Sequence, residues 1–132
     1  KHLHRGSAMI MAVFMIALAA ALVMGMLQLN TEQVMLLRNQ IGLTRADAVA
    51  EAGLNDALAQ LRSDIDWNDS FADKPFDAGR YTVTVTGTAP RLEVTSVGRT
   101  DQNFCVRLEA QVFTEDVSPP YRIRIEQLRI NP

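Results

Sequence analysis

Few side chains in this 132-residue chain are placed to do chemistry. Asp64, Asp66, Asn68 and Ser70 set oxygens at alternate positions, the spacing with which a calcium loop begins. Such a loop also needs Gly at its sixth position and Glu at its twelfth, where this chain has Asp69 and Pro75. Calcium therefore stands beside a second reading, a solvated acidic turn that closes a helix while Trp67 folds onto the core. Cys105 is the only cysteine, which excludes an internal disulfide. Either its thiol is simply covered by a neighbour, or in an oxidising compartment it crosslinks subunits. Phosphate-cradling loops and paired redox cysteines are absent. The sequence predicts no enzyme and no cofactor other than this calcium candidate.

Charge is placed unevenly. The first 31 residues carry only Lys1 and Arg5, and all 15 acids stand at Glu32 or later. That leaves 11 bases against the 15 acids in residues 32–132, a net of -4. Nucleic-acid binding needs a clustered basic face, so no nucleic-acid contact is expected.

Residues 7–31 contain no charge, and the densest apolar run covers residues 8–27. Twenty helical residues rise about 30 Å, the thickness of a bilayer's hydrocarbon core. Ala, Leu, Met and Ile favour helix, no proline intervenes, and backbone in lipid must satisfy itself, so the run predicts a membrane-spanning helix. Lys1 and Arg5 place its start on the cytoplasmic side and the acidic remainder outside. Two rival readings are the core helix of a soluble protein and a cleaved secretory signal. Against the first, the rest of the chain is too small to wrap an apolar rod on all sides. The second has the small-residue sites Ala17-Leu18-Ala19 and Ala19-Ala20-Ala21, but apolar character continues through Leu27. Met9, Met11, Met15, Met24, Met26 and Met35 are flexible side chains suited to irregular helix contacts and need no cofactor.

The junction Arg5-Gly6-Ser7-Ala8-Met9-Ile10-Met11 resembles the processing site of type IV prepilins, in which a basic leader ends in Gly. The stretch Ala46-Asp47-Ala48-Val49-Ala50-Glu51-Ala52-Gly53-Leu54 is similar to the helix signature of PilX-type minor pilins and related pseudopilins. Gly79-Arg80-Tyr81-Thr82-Val83-Thr84-Val85 and Val94-Thr95-Ser96-Val97-Gly98 look like the first sheet strands of that family. The likeness extends to about Phe113 and does not place residues 114–132. It implies cleavage between Gly6 and Ser7 by a prepilin peptidase, in the bacterial inner membrane. The partners it implies are other pilin or pseudopilin subunits, met through the N-terminal helix. The histidines His2 and His4 would leave with the leader, removing His-based triads and metal sites. Pilins usually carry Glu at the fifth mature position, where it pairs with a neighbour's terminal amine. Met11 stands there, a departure that the family shows in minor or tip subunits.

The remaining elements follow from periodicity. Leu43, Ala46, Ala50, Leu54, Ala57, Leu58 and Leu61 recur at three- and four-residue steps, predicting one helix from about residue 7 to 62 whose outer half packs on a small domain. Gly42 marks either a bend or a close packing contact. Four alternating strands are expected around residues 81–86, 92–95, 104–112 and 122–130, the last with a bulge near Glu126-Gln127 that restores its phase. The expected organisation is a leader at 1–6, an anchor at 7–29, an amphipathic helix at 30–62, an acidic loop at 63–79 and an antiparallel sheet at 80–132. The fold class is α+β, a long helix on an antiparallel sheet, the pilin ladle. Two further functions share these features: a single-span membrane protein with an external β-rich binding domain, and a secreted binding protein after signal removal.

Overall fold

The computed structural model describes residues 2–115 and 118–131, with side chains from residue 5 onward. Helix α1 runs His2–Ser63, followed by strands β1 (Phe71–Phe76), β2 (Gly79–Thr88), β3 (Arg91–Thr100), β4 (Cys105–Thr114) and β5 (Ile123–Asn131). The chain divides into two compact units, Lys1–Asn39 and Gln40–Pro132. The first consists of the N-terminal part of α1, and the second holds the rest of α1 and a five-stranded sheet. The fold is α+β, a long N-terminal helix with a small antiparallel sheet.

The sheet is a meander in the order β1-β2-β3-β4-β5, with every neighbouring pair antiparallel. Its central ladders are regular: Gly79 to Thr88 of β2 pair residue by residue with Thr100 to Arg91 of β3. Alternation puts Tyr81, Val83, Leu92, Val94, Val106, Leu108, Ala110 and Val112 on the buried face. Ala46, Val49, Ala50, Leu54, Ala57, Leu58 and Leu61 of α1 cover them. Burying side chains such as Leu61 and Leu108 contributes about 1.5–3 kcal/mol each.

Small residues set the helix–sheet distance. At Gly98 a Cβ would collide with the Ala46 carbonyl oxygen and the Ala50 backbone nitrogen, so α1 lies against β3 with no side chain between. The Ser96 hydroxyl donates to the Ala50 carbonyl at 2.7 Å, fixing the helix in that groove. Gly42 is a packing contact: α1 continues through it, and a Cβ there would run into the Phe104 ring. The Tyr121 N–H donates to the Arg62 carbonyl at 3.0 Å, closing the C-terminal end of α1.

Four sequence expectations need correction. The helix begins before residue 7: it extends back to His2, because Gly6 alone costs only about 1 kcal/mol of helix propensity. Lys1 of the expected leader lies outside the described residues, as do the side chains of His2 and His4. The expected acidic loop at 63–79 contains strand β1, so the sheet has five strands, not four. Leu43, assigned to the packing face, is exposed. The expected packing of the sheet on the helix is incomplete at β5, where Ile125, Leu128 and Ile130 lie on the helix side yet stay exposed. The expected bulge is present: Gln111 faces Gln127 while Val112 faces Ile125, leaving Glu126 as the extra residue.

Candidate functional site

Residues 8–27 form the apolar stretch of the first unit. Helical spacing distributes Met9, Ile10, Met11, Val13, Phe14, Met15 and Ile16 round the full circumference, and all are exposed, Ile10 at 73 %. A helix apolar on every side has no aqueous face. Among the described residues α1 is the one helix long and apolar enough to cross a membrane, and its apolar stretch lies near the N-terminus. Gly6 and Ser7 lie within its first turns, and nothing stands within 4 Å of a Cβ built at Gly6. Met11 is exposed on the same stretch.

Beyond residue 29 the helix surface is mixed. Val34, Met35, Leu36, Leu37 and Ile41 remain exposed among polar neighbours that include Glu32 and Arg38. These side chains add an apolar surface beyond the length needed for a bilayer.

In the second unit the polar contacts tie α1 to the first strand. Asp56 Oδ2 accepts from the Tyr81 hydroxyl at 2.6 Å and from Lys74 Nζ at 2.5 Å. The Lys74 bond, then the Tyr81 bond, holds the Asp56 carboxyl below its ordinary range. Lys74 is raised, chiefly by the same bond to Asp56, and Tyr81 is raised, chiefly by burial. The Lys74 ammonium also lies 4.6 Å from the centre of the Phe71 ring. A carboxylate, a phenol and an ammonium so arranged fasten β1 to the helix. The sequence held one signal for it: Asp56 follows Val49 and Gly53 on the inner helix face, where an acid needs a partner.

The candidate calcium ligands sit between α1 and β1. Asp64 Oδ1 is turned onto its own loop, accepting from the Asp66 N–H at 3.0 Å. Asp64, Asp66, Asn68 and Ser70 are exposed, and Trp67 packs against the core 5.2 Å from Phe71. Among the described residues no three His, Cys, Asp or Glu side chains converge as a metal-binding group. A groove of about 240 Å³ runs between this loop and the β2–β3 turn, lined by Asp66, Trp67, Asn68, Val85 and Leu92. Cys105 is exposed at the start of β4, on the face away from the helix, so its thiol is not covered by a neighbour.

No family model matches the chain, and no curated protein or solved structure matches it either.

Proposed function

We propose that this chain is a membrane-anchored filament subunit, a minor pilin or pseudopilin of the type IV pilin kind. The observation that carries the reading is a helix apolar round its whole circumference over residues 8–27, entered through Arg5-Gly6-Ser7. The Ala-rich helix after it, the Ala-Glu-Ala-Gly-Leu stretch and the antiparallel sheet are consistent with the same kind of protein. In this reading the N-terminus faces the cytoplasm, the sheet unit lies outside the bacterial inner membrane, and a prepilin peptidase cuts after Gly6. The anchor then leaves the bilayer in the company of other subunits' helices. Contacts among apolar helices replace contacts with lipid, which makes extraction tolerable only as a bundle. The function is mechanical, and the chain caps, primes or decorates a filament rather than catalysing a reaction.

The decisive measurement is the intact mass of the protein produced with and without a prepilin peptidase. Co-expression should remove residues 1–6 and leave Ser7 as the first residue, and Gly6→Leu should block the cut. A retained leader in every case favours the single-span binding protein. A new N-terminus near Leu22 favours the secreted one.

A further inference from the structure

Strand β5 is a border of the sheet, with β4 on one side and, among the described residues, no strand on the other. An antiparallel border strand turns alternate N–H and C=O groups outward, and folded proteins blunt such borders. The opposite border is blunted: β1 has six residues, contains Pro75, breaks register between Phe71 and Lys74, and holds Asp73 at a φ of 46°. Strand β5 has nine residues and no proline. Its helix-side face aligns Ile123, Ile125, Leu128 and Ile130 with Thr114, Val112, Ala110 and Leu108 of β4. Those four β4 residues are buried, whereas Ile125, Leu128 and Ile130 are 44 %, 47 % and 55 % exposed. The apolar layer thus continues one strand beyond the helix that covers it. On the opposite face Arg124 pairs with Glu115 at 3.1 Å and with Glu126 at 3.5 Å, while Arg129, set across the ladder from Glu109, makes no ion pair among the described residues and keeps its outer side open.

A second copy fits this border poorly. Antiparallel self-pairing that sets Ile123 against Ile130 and Ile125 against Leu128 also sets Arg124 against Arg129 twice. Like charges directly opposite destabilise a ladder. Strand β1 of a second copy is blunted by Pro75. We infer that β5 accepts, by strand addition, an extended segment of a different protein, apolar on the helix side and acidic beside Arg129. Main-chain bonds supply the affinity, and the exposed Ile125, Leu128 and Ile130 select the apolar side chains. This goes beyond the filament reading and does not depend on leader cleavage.

The test uses the full chain in detergent micelles and nine-residue synthetic peptides in which Val alternates with Glu or Thr. The acidic peptide should bind, and the same peptide with Lys for Glu should bind about tenfold more weakly. Methylating the peptide's backbone nitrogens at alternate positions should abolish binding in one of the two phases. Ile130→Lys should weaken binding at least about tenfold while leaving Trp67 fluorescence unchanged, since residue 130 is exposed. Failure of every peptide to bind, or binding indifferent to backbone methylation in both phases, overturns the inference. A concentration-dependent dimer that Ile130→Lys abolishes also overturns it, because the occupant is then a second copy.

Discussion

Asp56 Oδ2 serves two donors at once, so its loss is felt on both the helix and the sheet. Asp56→Ala leaves the part-buried Tyr81 hydroxyl without its acceptor and should cost about 1–2 kcal/mol. Lys74→Ala should cost clearly less, because that ammonium is well exposed and solvent screens its ion pair. The pH dependence has a definite sign. The folded Asp56 pKa is depressed, so its stabilisation is complete above the ordinary carboxylate value of about 4 and is lost as pH falls below it. Denaturant titrations followed by Trp67, the single tryptophan, should show the gap between wild type and Asp56→Asn closing over that range. On the alkaline side the raised values of Lys74 and Tyr81 act oppositely. Their contribution is present below about pH 10 and is lost as pH rises through the folded values.

For α1 against the sheet, two glycines offer a controlled comparison. Gly98→Ala drives a methyl into the backbone of α1 at Ala46 and Ala50, which cannot move without displacing the helix. Gly42→Ala meets only the Phe104 ring, which is partly buried and can rotate away. The Gly98 change should cost about 1–3 kcal/mol or more, and the Gly42 change clearly less, by thermal melting of the two variants. Much of this level was legible in the sequence. Steps of three and four marked the packed face of α1, and strict alternation gave β2, β3 and β4 their correct faces. The slip from Ile125 to Leu128 located the bulge at Glu126. Strand β1 was hidden because Asp73, Lys74, Pro75 and Asp77 read as turn chemistry, and its pairing relies on a register break and left-handed backbone at Asp73. The apolar residues of β5 misled for a different reason. Alternation reports that one face is apolar, but not whether anything in the same chain covers it.

For the whole molecule, the apolar helix was visible from composition alone, whereas no spacing rule could have shown where surface would be left uncovered. The proposed filament role makes Met11 its most testable residue. A carboxylate is absent at the place where it would neutralise a neighbour's amine inside an apolar bundle. An unpaired charge in such a place costs about 2–3 kcal/mol on insertion scales, repeated at each subunit of a homopolymer. The chain should therefore not polymerise alone, and should enter filaments of a Glu-bearing major subunit at low copy number. Quantitative mass spectrometry of sheared filaments, with microscopy of a deletion strain, should find it scarce and filaments fewer but unchanged in bulk composition. Finding it as the most abundant subunit would defeat the minor or tip assignment.

The meander has a temporal consequence. Because each strand pairs with the one just before it in sequence, β2 can zip onto β1, and β3 onto β2, as soon as each segment is available. Loop-closure entropy is small at every step, the condition under which β structure assembles rapidly. The longest-range hydrogen bonds among the described residues reach back to α1: Ser96 to Ala50, Tyr81 to Asp56, and the Tyr121 N–H to the Arg62 carbonyl. The first two can form once β2 and β3 exist. The third joins the residues just before β5 to the end of α1, so a vectorially emerging chain can acquire a packed helix and four strands before its final border is laid down.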